Sequence, residues 1–314
     1  MTIRQPTALR HGGNARNDKG KNAMKELLEE QGYLLADGAM GTLLFDCGLE
    51  AGMAPEALNL HNKEMVYKVH EAYITAGSDV ILTNTFGGNE FRLTLHELGD
   101  VVTDVNRAAV EIARQAVDAQ NRKIFIAGSM GPTGGLLEPL GILTLEDVKD
   151  AYKTQAVGLV DGGVDILWLE TFSDLNEVEA AITGIRAVTD LPIVVTMSYD
   201  TAGHTMMGVS GTSQAALSNS YDLFGIGANC GATLEDARNA IKDMRTVCKN
   251  SFIVFKPNAG IPEWHGDDLV YNGTPEIMAE QAAEVIKEGL TIIGACCGST
   301  PEHIAFMKKR LMTL

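Results

Sequence analysis

The stretch MVYKVHEAYITAGSDVILTNT, residues 65–85, decides the fold. Its first half carries Met65, Val66, Val69 and Tyr73, the three- and four-residue spacing of one helical face. Gly77 follows, where a left-handed C-cap belongs. After the turn Gly77-Ser78-Asp79 comes an apolar run, Asp79–Thr83, too short for a helix and ending in the polar triplet Thr83-Asn84-Thr85. The unit is therefore one amphipathic helix feeding one buried strand, with polar side chains where the strand ends.

Working outward, the same unit recurs from residue 33 onward. The apolar runs are Tyr33–Ala36, Asp79–Thr83, Lys123–Ala127, Val164–Leu169, Pro192–Met197, Phe224–Ala228, Phe252–Phe255 and Thr291–Ala295. Helical patterns separate them, such as Val148, Tyr152, Val157 and Val160 before Gly162-Gly163. Near-continuous apolar strands alternating with helices read as a parallel sheet covered on both faces. Eight of them predict a single (β/α)8 TIM-type barrel with a short N-terminal extension. An open doubly wound sheet has about five or six strands and a phosphate loop after the first. Here that position reads Asp37-Gly38-Ala39-Met40-Gly41, whose acid is poorly placed for a pyrophosphate. Residues 1–22 are polar and aperiodic and are expected to be a flexible tail; the barrel would occupy 23–314, opening with a short helix over 23–32.

Composition narrows the function. With 45% hydrophobic and 21% charged residues the chain resembles a soluble enzyme, and its net charge of −16 argues against nucleic acid and anionic membrane as partners. Five cysteines do not make a secreted disulfide framework, and neither a membrane-length apolar run nor a signal-peptide core is visible. A cytoplasmic location is expected.

Barrel enzymes keep their chemistry at the carboxyl ends of the strands. In this chain those positions are Asp37, Thr83-Asn84-Thr85, Ser129, Glu170-Thr171, Ser198, Asn229-Cys230, Asn258 and Cys296-Cys297. Strands six and eight are near neighbours in a closed barrel, so Cys230 can converge with the Cys296-Cys297 pair. Adjacent cysteines rarely pair with each other, because a vicinal disulfide distorts the peptide between them. Thiolates select zinc, copper(I) or iron–sulfur, and iron–sulfur clusters favour closely spaced cysteine runs. Three sulfurs without a fourth cysteine or histidine nearby predict one zinc per chain with an open position, the mark of a catalytic site. Buried structural cysteines are the plain alternative; Cys47 and Cys248 are read that way. Thr300-Pro301 looks like a helix start behind the cysteine pair. Asp37 and Glu170 either face a cationic substrate group or are satisfied by hydrogen bonds of the barrel. None of the seven histidines ends a strand, and none is assigned to catalysis. Gly128–Gly135 lacks the spacing of a phosphate loop and is read as a tight loop lining the barrel mouth.

These residues resemble the homocysteine S-methyltransferase family. The resemblance rests on DGAMGT (37–42), ILTNTFGGN (81–89), GSMGPTG (128–134), ETFSD (170–174), ANCG (228–231), KPNAG (256–260) and GACCGSTPEHI (294–304), in the right order over about residues 30–312. PEALNL (55–60) and ILTNTFGGN look closest to the homocysteine-binding module of cobalamin-dependent methionine synthase. The resemblance implies zinc held by Cys230, Cys296 and Cys297, with Asn258 as a resting ligand that the homocysteine thiol displaces. It also implies Asp37 and Glu170 on the homocysteine amine, and Gly38, Thr83 and Ser129 lining the pocket. No Asp-x-His-x-x-Gly cobalamin motif occurs, so no intrinsic cobalamin site is expected and the methyl group would come from a small donor or a separate methyl-corrinoid protein. Two alternatives stand beside this one. In the first, a corrinoid-system component takes a methyl group from a methylated small substrate. In the second, zinc merely stabilises a non-catalytic scaffold.

Overall fold

A computed structural model describes residues 15–50, 52–266 and 268–314. Its strands are β1 (Leu34–Leu35), β2 (Val80–Leu82), β3 (Phe125–Met130), β4 (Ile166–Phe172), β5 (Ile193–Met197), β6 (Gly225–Cys230), β7 (Phe252–Pro257), β8 (Pro262–His265), β9 (Asp268–Tyr271) and β10 (Ile292–Ile293). Eight of them form one parallel sheet in the order β1-β10-β7-β6-β5-β4-β3-β2. A parallel bridge between Ala36 and Val80 joins the two ends, with the Asp37 amide donating to Val80 O at 3.0 Å. The result is the (β/α)8 barrel that the alternation of apolar runs predicted, each run holding a strand.

The period of two along each strand sorts side chains into two layers. Leu34, Val80, Phe125, Ile166, Trp168, Val194, Val254 and Ile292 fill the barrel interior. Their neighbours Leu35, Ile81, Ile126, Leu167, Val195, Ile226, Phe255 and Ile293 pack outward under the helices. The helix Ala15–Gln31 closes the amino end of the barrel, with Met24 and Leu28 packed against the interior cluster. Burying each of them contributes about 1.5–3 kcal/mol. This helix begins earlier than residue 23; residues 1–14, most of the expected tail, lie outside the described residues.

Gly77 and Gly163 end their helices in the left-handed conformation, as their places in the sequence suggested. One feature differs from the sequence reading. The segment after β7, where no strand is expected from the sequence, contains the antiparallel hairpin β8–β9, which returns the chain over the cysteine sites before the helix Pro275–Lys287. Among the described residues no helix is long and apolar enough to cross a membrane.

Candidate metal and substrate site

Cys230 is the last residue of β6, and Cys296 and Cys297 follow β10. Their sulfurs meet: Cys230 Sγ lies 2.7 Å from Cys296 Sγ and 3.9 Å from Cys297 Sγ, and all three ligand atoms fall within 4.8 Å of one another. The backbone explains the convergence. The Cys296 amide donates to Pro257 O at 2.8 Å, and Cys297 O accepts from the Ala259 amide at 2.9 Å, so β7 holds the pair from below. Ser299 Oγ donates to Cys296 O at 2.7 Å and accepts from the Ala39 amide at 3.1 Å, locking the turn to the first loop. Gly298, at φ +76°, stands against Tyr271 of the hairpin; a Cβ there would come within 2.1 Å of the ring. Only glycine fits.

Behind the sulfurs sits Asn229. Its Nδ2 donates to Thr171 Oγ1 at 2.7 Å and points at Cys230 Sγ (3.6 Å) and Cys296 Sγ (3.8 Å), while its Oδ1 accepts from the Thr171 amide at 2.8 Å. Thr171 and Cys230 both have positive φ, 67° and 55°, which costs a non-glycine residue about 1–2 kcal/mol. A register irregularity in β4 between Leu169 and Phe172 carries Glu170 and Thr171. Irregularities of this kind re-aim side chains at functional sites.

The electrostatics follow from crowding. Cys297, accepting hydrogen bonds from Cys230 and Cys296, is pulled down to about 3, and Tyr271 also donates to it. Cys230, donating to both other sulfurs and buried, is pushed well up.

Three soft sulfurs are a donor set for a soft metal. A second observation fits: Asn258 Oδ1 is buried without a hydrogen-bond partner among the described residues, while its Nδ2 donates to Gly231 O at 3.2 Å. An orphaned buried oxygen is costly unless a ligand takes it. The three sulfurs therefore fit a soft metal.

A cavity of about 540 Å³ opens above the cysteines and is lined by Gly38, Thr83, Ser129, Glu170, Cys230, Cys296 and Cys297, so seven of the nine residues singled out in the sequence share it. Asn258 lies on the other side of Cys230, lining a neighbouring cavity of about 430 Å³. Asp37 lies beneath the floor. Its Oδ1 accepts from Lys256 Nζ at 3.1 Å and its Oδ2 from the Leu82 amide at 2.7 Å. Burial pushes its carboxyl up, and the lysine and the amide pull it back. Of the two readings open for this acid, satisfaction within the barrel is what the geometry gives; its cation belongs to the chain itself. Breaking such a buried pair from one side costs about 3–5 kcal/mol.

Glu170 is different. It accepts from Ser129 Oγ, and burial, reinforced by Cys296 and opposed by Lys256, pushes it up to about 7. The loop Gly131–Gly135 is no anion cradle: the Thr133 amide and hydroxyl both donate to Glu177 Oε1 at 2.7 Å.

Sequence reasoning passed over several residues of this site. Lys256 was signalled by a charge inside an otherwise apolar strand, and Asn229 by its place before a strand-end cysteine. Nothing local marked Tyr271, Arg92 or His96, the last two of which line the cavity. Thr300 does cap the helix Pro301–Leu311, with His303 Nδ1 accepting from the Thr300 amide at 3.1 Å.

The sequence model of the family described as homocysteine S-methyltransferase matches residues 34–311, nearly the whole barrel. The chain belongs to the homocysteine S-methyltransferase family. It is 33% identical over 298 residues to methionine synthase of Mycobacterium leprae and 32% identical over 291 residues to that of Mycobacterium tuberculosis, which covers 89% and 87% of this chain. It spans about a quarter of their length, 24% in each case. In fold it is similar to the metallated form of the homocysteine methyltransferase MmuM of Escherichia coli, with a TM-score of 0.78 at 24% identity, covering 91% of this chain and 99% of that one.

Proposed function

We propose that this chain is a zinc-dependent S-methyltransferase that passes a methyl group to the thiol of homocysteine, giving methionine. The observation that carries the reading is the convergence of Cys230, Cys296 and Cys297 on the wall of a cavity that also presents Glu170. Bound there, zinc would supply one thing: it holds a substrate thiol, ordinarily with a pKa near 8.5, as a thiolate at neutral pH.

The chain's own residues do the rest. The three cysteine sulfurs would hold the metal, and their negative charge would leave a fourth sulfur electron-rich. Asn258, whose Oδ1 is unpartnered among the described residues, would serve as a resting ligand. Glu170, steadied by Ser129, receives the substrate ammonium, whose arrival favours the charged carboxylate. The apolar walls, with Leu82, Phe86 and Ala295, exclude water around the reacting sulfur. In the transfer the sulfur pair forms the new S–CH3 bond while the old methyl bond breaks, its electrons leaving with the donor; a near-linear approach is what positioning supplies.

For the donor we favour a separate methyl-corrinoid protein over a small molecule. The loops after two strands expose apolar side chains: Leu136 (55%), Leu140 (70%) and Ile142 (89%) after β3, and Met206 (76%) after β5. Such exposure suits a surface that docks a large partner transiently.

The test is binding before turnover. Homocysteine at millimolar concentration should raise the thermal midpoint of zinc-loaded protein and leave metal-free protein unmoved, by mass action. No shift with the loaded form refutes the reading. Methylcobalamin, methyltetrahydrofolate, betaine and S-methylmethionine, offered in turn, then identify the donor by methionine formed.

A further inference from the structure

The wall of the cavity farthest round the barrel from Cys230 carries a cation that the reaction above does not use. Cys230 ends β6, whereas Phe86, Arg92 and His96 follow β2, which stands four strands from β6 whichever way round the closed sheet is followed. Arg92 is half-buried on the helix Glu90–Thr94. Its backbone amide donates to Asn89 Oδ1 at 3.1 Å, but among the described residues its guanidinium makes neither a hydrogen bond nor an ion pair. Five N–H donors in a planar fork are left unspent. The buried acid Glu56 feels the charge of Arg92 and His96, yet its Oε1 is taken by the Gly87 amide at 2.6 Å. Lys256, also in the lining, is paired with Asp37. The fork is also held in place. A Cβ on Gly134 would come within 2.8 Å of Arg92 Nη1, so the glycine loop lies directly against the guanidinium.

Methyl transfer needs the entering sulfur, the methyl carbon and the leaving atom close to one line. With the acceptor thiol held at the cysteines, the body of the donor extends away from them, toward the wall built after β2. We propose that Arg92 binds an anionic oxygen group of the methyl donor, a carboxylate or a phosphate, and so selects anionic donors over those without such a group. This deepens the methyltransferase reading and rests on it. The guanidinium matches either group with two parallel hydrogen bonds, a geometry that lysine does not offer. Betaine and S-methylmethionine carry a carboxylate, and methylcobalamin carries a phosphodiester. The same fork would answer each.

The test offers zinc-loaded protein and homocysteine pairs of donors that differ by the anion. Betaine is set against tetramethylammonium, S-methylmethionine against trimethylsulfonium, and methylcobalamin against methylcobinamide, which lacks the phosphodiester. The pair that is accepted distinguishes a carboxylate from a phosphate. In the parent, kcat/KM for the anionic member should exceed that of its counterpart about ten- to hundredfold, the worth of charge-assisted hydrogen bonds. Arg92→Gln should erase this advantage through KM while leaving the counterpart within about twofold. Arg92→Lys, which keeps the charge without the fork, should restore part of it. The rise in thermal midpoint with homocysteine should be the same in both variants as in the parent, a result that loss of a merely structural residue would not leave intact. Turnover with none of the six donors, no preference within any pair, or an Arg92→Gln that lowers both members alike or neither overturns the proposal. A parent whose midpoint homocysteine does not move brings down the methyltransferase reading itself; a normal homocysteine shift without anion preference brings down the role of Arg92 alone.

Discussion

Asn229→Ala tests whether the sulfurs are positioned from behind. The amide makes two hydrogen bonds to Thr171, at 2.8 and 2.7 Å, and directs its Nδ2 at Cys230 and Cys296. Losing two good hydrogen bonds costs about 1 kcal/mol each, and the Thr171 amide left unsatisfied adds about 1–3 kcal/mol. The two left-handed residues it bridges then lose the contact that holds their backbone in place. We expect metal-free protein to lose about 3–5 kcal/mol of stability and zinc affinity to weaken about 10- to 100-fold, the usual worth of a residue orienting metal ligands. Zinc affinity is read by competition with a chelating dye, and stability by denaturant melts followed by circular dichroism. Asn229→Asp separates the effects. It keeps the acceptor for Thr171 but replaces the donor facing the sulfurs with negative charge, so stability should largely return while zinc affinity stays low. A folded Asn229→Ala whose zinc affinity lies within twofold of the parent would refute the reasoning.

Other consequences are as direct. His70 is buried on the helix Lys63–Ala76 with neither ring nitrogen partnered among the described residues, and burial lowers its pKa to about 4. The unfolded chain therefore takes up this proton first, near pH 6.5. Stability from this group is complete above that value and falls as pH drops toward 4, by about 3 kcal/mol. In His70→Leu the midpoint measured between pH 7 and 4.5 should decline less steeply than in the parent; parallel curves would contradict this. Gly298→Ala places a methyl against Tyr271 at a positive φ and should cost at least about 2 kcal/mol while weakening zinc binding, since it displaces the Cys296-Cys297 turn. Unchanged zinc affinity there would show that the hairpin does not hold the turn. Glu170→Gln should weaken homocysteine binding about tenfold or more without changing zinc stoichiometry, read by titration and metal analysis.

The sequence by itself determined the barrel, because each element announces itself locally. Apolar runs such as Val164–Leu169 are too short for helices, Gly77 and Gly163 sit where helices must stop, and eight parallel strands with covering helices have few ways to close. It also determined which strand ends carry sulfur, since a strand end is a position in sequence and the barrel brings strands six and eight near each other. What tertiary structure alone decided is how those groups are paired. Asp37 and Glu170 look alike in the chain, two acids ending two strands; in three dimensions one is consumed by Lys256 and Leu82 and the other is left facing the cavity. Lys256 is 219 residues from Asp37, and Tyr271 reaches Cys297 only because a hairpin folds back over it. Local periodicity records which face of an element is buried. It carries no record of which distant partner a buried charge will meet, because that is settled by Coulomb energy and desolvation at separations that exist only after the barrel closes.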